Sequence, residues 1–154
     1  MRRSTILFVA ACVITLTVAP GCGGTKRGAG SPALVPVNGT VTLDGKPVTG
    51  ALVTFIPTGS TRGKGAYGVT DASGRYELAE DGSSKGVPAG EYRVVCNKWV
   101  MPDGSDLPRD SKVAPDEAGA KEFFPRKYSS EAETELRATV SASGGTIDFK
   151  LTRK

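Results

Sequence analysis

Residues 69–78, VTDASGRYEL, place an acid, a hydroxyl and a glycine at spacings that resemble part of a calcium-binding loop. Such a loop needs several oxygen ligands at fixed positions and a bidentate acid at its end. Asp71 and Ser73 could serve, but their neighbours offer no further side-chain ligand, and Arg75 brings a positive charge. Asp71 is equally suited to accept backbone N–H bonds across a turn, with Gly74 in a left-handed conformation. We therefore predict a turn between two strands here, and no metal site.

Nucleophilic catalysis lacks its usual partners. The chain has no histidine, which removes the commonest general base and the commonest zinc ligand. The three cysteines, Cys12, Cys22 and Cys96, show no metal-ligand spacing. A serine would need a lysine or carboxylate as base, and the pairs Ser84-Lys85 and Ser111-Lys112 lie in polar, loop-like stretches. We expect no catalytic residue, no cofactor and a non-enzymatic protein.

A long segment without a clear strand, Val100–Glu133, is the most distinctive candidate for a binding site. Structureless loops beyond about 12–15 residues are usually functional or disordered. One interpretation is a recognition patch for an anionic or carbohydrate partner, and its candidate contact residues are Trp99, Phe123, Phe124, Arg126 and Tyr128. The other is that Phe124 and Tyr128 pack the segment onto the domain. Trp99 is either the edge of the core or an exposed platform for a ligand.

The first 22 residues read as an export signal. Arg2 and Arg3 form a basic start, and the apolar run 6–19 is too short for the roughly 20 residues of a transmembrane helix. The run ends in Ala19-Pro20-Gly21-Cys22, which resembles a bacterial lipobox. That resemblance implies a diacylglycerol on Cys22 and cleavage before it. The alternatives are an ordinary cleaved signal peptide and, less in keeping with the run length, a transmembrane anchor.

The charge balance excludes one partner class. The chain has 20 basic and 16 acidic residues, and without Arg2 and Arg3 the balance falls to 18 against 16, or +2. That is too mild for a nucleic-acid binder.

With Cys12 removed and Cys22 lipidated, Cys96 has no disulfide partner, and we expect it to be buried and inert on the same strand face as Tyr92 and Val94.

A Gly/Ser/Pro-rich stretch at 22–35, beginning with the lipidated Cys22, is typical of a flexible tether. Beyond it the hydrophobic period becomes two, as in strands. Seven strands are predicted, at 37–43, 51–57, around 67–69, around 76–78, 91–99, 136–140 and 147–151. Helical periodicity is nowhere sustained. Seven short strands with frequent turn signals favour an all-β, two-sheet sandwich over residues 36–152.

The strand and turn motifs also carry a resemblance to a known family. VNGTVTLDGKPVTGALVTFIP, GVTDASGRYEL and GVPAGEYRVV follow one another as in the carboxypeptidase regulatory-like domain, a transthyretin-like (prealbumin-type, Ig-like) seven-stranded sandwich. The closing FPRKYSSEAETELRATVSASGGTIDFKL is similar to that of small planctomycete-type lipoproteins carrying this domain. The resemblance implies the fold and a mostly non-catalytic accessory role.

Together these features predict a lipoprotein anchored in the bacterial cell envelope, at the periplasmic or outer-membrane face. Its domains would be a signal peptide (1–21), a lipidated cysteine with a tether (22–35) and a sandwich (36–152) with a long loop at about 100–133. We expect a structural or interaction module whose partners are the membrane, through its lipid, and an envelope protein or glycan. Two alternatives are a carbohydrate- or peptide-binding module using Trp99 and the loop, and an accessory domain acting in trans on a peptidase.

Overall fold

A computed structural model describes residues 32–82 and 84–154. The predicted signal peptide, the lipid attachment at Cys22 and the tether up to residue 31 lie outside the described residues. These described residues form thirteen strands and one short helix: β1 (Leu34–Val35), β2 (Val37–Leu43), β3 (Lys46–Pro47), β4 (Leu52–Pro57), β5 (Ala66–Val69), β6 (Arg75–Glu77), β7 (Val87–Pro88), β8 (Gly90–Asn97), β9 (Trp99–Val100), β10 (Lys121–Glu122), α1 (Arg126–Ser129), β11 (Arg137–Val140), β12 (Gly145–Thr146) and β13 (Phe149–Leu151).

The longer strands follow the period-two pattern of the sequence. All seven predicted strands are present, as β2, β4, β5, β6, β8, β11 and β13. Strand β2 is representative, because Val37, Val41 and Leu43 are buried while Asn38 on the alternate face is exposed. The Asp44-Gly45 signal yields a tight turn with positive φ at both residues.

Two sheets enclose the core. One has the order β11-β8-β4-β5, with antiparallel pairing throughout. The other is built around β2, which pairs in parallel with β12 and β13 and antiparallel with β3 and β6. The inner faces share one hydrophobic cluster, in which Phe55 lies 5.7 Å from Tyr92 and 6.1 Å from Phe149 between ring centroids. The all-β sandwich predicted from the sequence is confirmed.

A glycine allows the closest approach across the second sheet. A Cβ atom added at Gly39 would collide with the carbonyl oxygen of Ile147, and it would come within 2.9 Å of the Tyr76 hydroxyl. That hydroxyl donates a 2.6 Å hydrogen bond to the same carbonyl oxygen. The glycine of the VNGT motif therefore lets β6 and the segment before β13 meet over β2.

The segment 100–133 contains more structure than its sequence indicated. Strands β9 and β10 pair, with Glu122 opposite Trp99, and α1 forms one turn near the end of the segment. The prediction of a segment without strands was wrong in this respect, because two-residue strands and a four-residue helix carry no measurable periodicity. The predicted strand 91–99 is also interrupted at Lys98, between β8 and β9.

The domain has two ends that matter for function. The first described residues, Pro32 and Ala33, lie beside the loop 58–62 and the connection from β7 to β8 at 88–91. From there β2 runs to the opposite end, where the turn at 44–50 meets Lys98. Within residues 32–82 and 84–154, no helix is long and apolar enough to cross a membrane.

Candidate ligand-binding cleft

The acidic motif that suggested calcium forms a closed turn. One oxygen of Asp71, Oδ1, accepts hydrogen bonds from the backbone N–H of Ser73 (2.8 Å), the hydroxyl of Ser73 (2.7 Å) and the backbone N–H of Arg75 (2.9 Å). These bonds hold the pKa of Asp71 below its usual value, with the Ser73 hydroxyl as the largest cause. Gly74 has φ +77°. The residues therefore have the geometry of the predicted turn.

A cleft lies on the outer face of the four-stranded sheet, away from the core. Its floor consists of alternate residues from β4, β5 and β8, whose side chains point out of the sandwich: Leu52, Thr54, Tyr67 and Asn97. Thr54 is central, because it pairs with Tyr67 on one side and with Val95 on the other. The floor is therefore a pleated sheet surface.

The wall of the cleft comes from Trp99 and from the part of the long segment that follows β9. The cleft has a volume of about 620 Å³, within the usual range for small-ligand sites, and is open to solvent. Its remaining lining residues are Gly50, Lys98, Trp99, Asp106, Leu107, Pro108, Arg109, Ser111, Val113 and Pro115.

Exposed apolar surface is concentrated at this cleft. In the described part of the chain four large hydrophobic side chains are exposed: Tyr67 (42%), Val69 (40%), Trp99 (37%) and Val113 (48%). Three of the four line the cleft, and Val69 lies two residues after Tyr67 on β5, opposite Leu52. Single exposed apolar residues are ordinary, whereas a cluster of them indicates a binding surface.

An ion pair holds the wall against the sheet. The Lys98 ammonium, whose side chain is 13% exposed, lies 2.8 Å from Asp106 Oδ1. It also donates a 2.6 Å hydrogen bond to the carbonyl oxygen of Thr49. Gly50 has φ +73°, which favours a glycine, and a Cβ atom there would come within 2.6 Å of the Asp106 carboxylate. Leu107 N–H donates to the carbonyl oxygen of Trp99 (2.9 Å), and Arg109 donates to that of Gly50 (3.1 Å).

Glu122 fixes the strand end that carries Trp99. Its Oε1 accepts hydrogen bonds from the backbone N–H of Lys98 (2.9 Å) and of Phe124 (3.1 Å), and its Oε2 accepts one from Asn97 Nδ2 (2.9 Å). A single partly buried carboxylate thus joins the end of β8 to β10. The backbone before Trp99 is anchored by Glu122 and the backbone after it by the pairing of β9 with β10, which limits how far the Cα atom of Trp99 can move.

Several polar groups that line the cleft have unused hydrogen-bonding capacity within the described residues. The hydroxyls of Thr54 and Tyr67 and the indole N–H of Trp99 make no hydrogen bond there. Asn97 donates both amide hydrogens, to Glu122 and to the carbonyl oxygen of Ser129, and its Oδ1 is left as an acceptor. The cleft can therefore both donate and accept hydrogen bonds.

The residues predicted as ligand contacts are separated by the fold. Phe124 (3% exposed) and Tyr128 (8%) belong to the core, as the packing interpretation of the segment predicts. Phe123 is half-buried at a second depression, with the Arg153 guanidinium 4.8 Å from its ring centroid. Arg126 pairs with Glu133 at 2.6 Å on the surface. Only Trp99 of the predicted set lines the cleft.

Tyr67 is the cleft residue that the sequence analysis missed as a ligand contact. The strand was predicted, but the prediction did not say which of its two faces points toward the core. The signal was available, since Ala66 and Gly68 alternate with Tyr67 and Val69, and small residues on one face beside large ones on the other indicate a large side chain turned outward.

Cys96 is remote from this chemistry. Its side chain is fully buried, as predicted, and it is a free thiol within the described part of the chain. Burial, and secondarily the negative charge of Glu122, raises the pKa of the thiol to about 12. A thiol that keeps its proton at neutral pH is a poor nucleophile.

Comparison with known proteins adds little to this geometry. No protein-family model matches the chain, and no curated protein matches it. Among solved structures, it is similar to the major pilin subunit BcpA of Bacillus cereus, with 13% identity and a TM-score of 0.41. It is also similar to a 9R-lipoxygenase from Cyanothece, with 19% identity and a TM-score of 0.34. These matches cover 80% and 84% of this chain but only 30% and 18% of those proteins.

Proposed function

We propose that this protein is a lipoprotein of the bacterial cell envelope whose β-sandwich is a non-enzymatic interaction module. The anchor is the acyl-modified Cys22, and the interaction site is the cleft beside Trp99. The observation that carries the proposal is the convergence of Tyr67, Trp99 and Val113 on one preformed cleft, since these are three of the four large apolar side chains that are exposed among residues 32–82 and 84–154.

The position of the cleft fits an anchored protein. Pro32 lies beside the loop 58–62 and the connection from β7 to β8, so a tether that precedes it would join the sandwich at that end. Lys98 and Thr49, which meet at one margin of the cleft, lie at the other end, because β2 runs away from the tether over seven residues. At about 3.3 Å per residue this is roughly 20 Å. One margin of the cleft therefore lies at the end of the sandwich opposite Pro32, where the anchor would not obstruct it.

Membrane fractionation tests the anchor. The Cys22→Ser chain cannot accept a diacylglycerol, and we expect it in the soluble fraction. Without acyl chains, each of whose buried methylenes contributes about 0.8 kcal/mol, nothing in the proposal holds it to lipid. The matched control is Cys12→Ser, which changes a cysteine within the apolar run and should stay membrane-bound. A Cys22→Ser chain that remains with the membrane contradicts the lipid anchor.

Affinity capture from envelope extracts tests the cleft. Wild-type chain, Trp99→Ala and Val69→Ala are compared, because Val69 is as exposed as Trp99 but does not line the cleft. We expect partners retained by the wild type and by Val69→Ala to be lost from Trp99→Ala. Retention by all three variants would place the interaction elsewhere on the domain.

A further inference from the structure

We infer that the ligand of this cleft is a saccharide, which stacks on Trp99 and Tyr67 and exchanges hydrogen bonds with the floor of the sheet. The inference rests on the proposed function, since it names the class of ligand for the same cleft. It follows from which groups of the protein are free to make contacts, from the charges beside them and from the rigidity of the site.

The backbone of the cleft floor is not available to a ligand. Strand β4 lies between β5 and β8 and pairs with both over the residues that form the floor. An extended peptide that binds by strand addition needs an open sheet edge. Here a ligand meets a sheet face, so the floor of the cleft must recognise it through side chains.

The side chains that remain suit a ligand with an apolar face and a rim of hydroxyls. Trp99 and Tyr67 are rigid and amphipathic, with an apolar ring and one polar group each. A pyranose ring offers axial C–H groups to such a ring, and its hydroxyls both donate and accept hydrogen bonds. A ligand that satisfies both the Thr54 hydroxyl and Asn97 Oδ1 must accept a hydrogen bond from the first and donate one to the second. A polyproline II segment, which also binds aromatic grooves, offers only carbonyl acceptors where it is proline.

The charges of the site argue against a polyanion. The Lys98 ammonium is neutralised by Asp106 at 2.8 Å, so it has little attraction left for a ligand. Arg109 uses one nitrogen on the carbonyl oxygen of Gly50 and keeps its other N–H groups for a hydroxyl or a single carboxylate. The cleft therefore suits neutral sugars, or sugars with an isolated acid, rather than a densely charged chain.

The site is also held in place before binding. The ion pair, the bond from Leu107 N–H to the carbonyl oxygen of Trp99, and Glu122 fix the wall and the strand end. Saccharides gain little from each contact, so a site for them benefits from losing little conformational freedom on binding. The open shape of the cleft admits part of a longer glycan chain.

Trp99 provides a direct probe, because it is the only tryptophan of the 154 residues. The full chain, purified in detergent, is applied to an array of neutral and uronic-acid-containing oligosaccharides. The strongest saccharide is then titrated while the emission of Trp99 is followed. We expect a saturable change in intensity and wavelength, because a stacked sugar displaces water from the indole. A proline-rich decapeptide is titrated in parallel.

Variants identify the contact surface. Tyr67→Ala keeps the tryptophan reporter, and we expect its affinity for the saccharide to fall about tenfold, which corresponds to about 1.4 kcal/mol. Val69→Ala, on the same strand and the same outward face, should bind as the wild type does. Melting temperatures equal to that of the wild type would show that both variants are folded. The variant Tyr67→Phe keeps the ring and loses only the hydroxyl, and it should bind more tightly than Tyr67→Ala.

Three results would overturn the inference: no binding on the array, equal binding by Tyr67→Ala and wild type, or a response of Trp99 to the decapeptide alone. None of these results tests the lipid anchor at Cys22. Capture of an envelope partner can still depend on Trp99 when no saccharide on the array binds. In that case the interaction module stands and its ligand is not a saccharide.

Discussion

The two faces of the four-stranded sheet are made by the same strands but have opposite surroundings. On the inner face, Phe55 of β4 and Tyr92 of β8 form a closed aromatic cluster with Tyr76 of the opposite sheet, and each is at most 3% exposed. On the outer face, Tyr67 and Trp99 stand beside a cleft with more than a third of their surface in solvent. Both faces are aromatic, but only the inner one is covered on all sides.

This difference separates residues that hold the fold from residues that are free for recognition. The inner tyrosine hydroxyls are engaged, since Tyr76 donates to the carbonyl oxygen of Ile147 and Tyr92 to that of Pro88. The outer Tyr67 hydroxyl makes no hydrogen bond within the described residues. Burial with satisfied polar groups stabilises the domain, whereas exposure with unsatisfied ones leaves interactions for a ligand.

The largest expected effect compares one aromatic from each face. Phe55→Ala removes a fully buried ring and leaves a cavity among Tyr76, Tyr92 and Phe149, so we expect the free energy of unfolding to fall by about 3–5 kcal/mol. Tyr67→Ala removes a ring that is already 42% exposed, and we expect a loss below about 1 kcal/mol. Urea denaturation of the two variants measures both values.

Equal losses would break the comparison. They would mean that Tyr67 packs as a structural residue, and its role in binding would then be difficult to separate from stability. The saccharide titration of Tyr67→Ala is informative only if this variant keeps most of the stability of the wild type. The denaturation experiment therefore comes before the binding experiment.

The sequence predicted the inner face better than the outer one. Alternation along β2, β4 and β8 locates buried residues, because each strand must place an apolar side chain inward at every second position. The same rule placed Cys96 with Tyr92 and Val94, and all three lie in the core. Fold class and strand positions follow from such local patterns.

The outer face depends on contacts between distant parts of the chain. Lys98 meets Thr49 and Asp106 through a turn and a loop whose positions no periodicity determines. The same holds for Phe124 and Tyr128, which look like an exposed aromatic and basic patch in sequence but pack in the core. Composition alone does not separate a binding patch from a segment that packs on its own domain.

Alkaline pH tests the inner face of the sheet through the buried thiol of Cys96. Burial raises the pKa of the Cys96 thiol from its ordinary value of 9.0 to about 12. Above pH 9 the unfolded thiol loses its proton while the folded thiol keeps it. The stability from this group is therefore complete below about pH 9 and is lost as pH rises toward 12. We expect the free energy of unfolding to fall by about 1.4 kcal/mol per pH unit in this range.

Cys96→Ala isolates that contribution. Burial also raises the pKa of Tyr92, from 10.0 to about 12, and that of Tyr76, so the tyrosines add to the slope above about pH 10. Between pH 9 and 10 the variant should show a clearly flatter dependence than the wild type, whatever its stability at pH 7. An unchanged slope in that interval would mean that the thiol is accessible to water in the folded state.

The smallest expected effect concerns the ion pair that holds the cleft wall. Lys98→Met keeps the apolar stem of the side chain but removes its bonds to Asp106 and Thr49. We expect the free energy of local opening of the wall to fall by about 1 kcal/mol. Hydrogen exchange at the Leu107 amide would then be about fivefold faster. The matched control is Lys85→Met, whose pair with Glu77 is 77% and 57% exposed and should leave exchange unchanged. Unchanged exchange in Lys98→Met would show that the bonds of Leu107 and Arg109 hold the wall without the ion pair. In that case the outer face would be preorganised by backbone contacts, as the inner face is by packing.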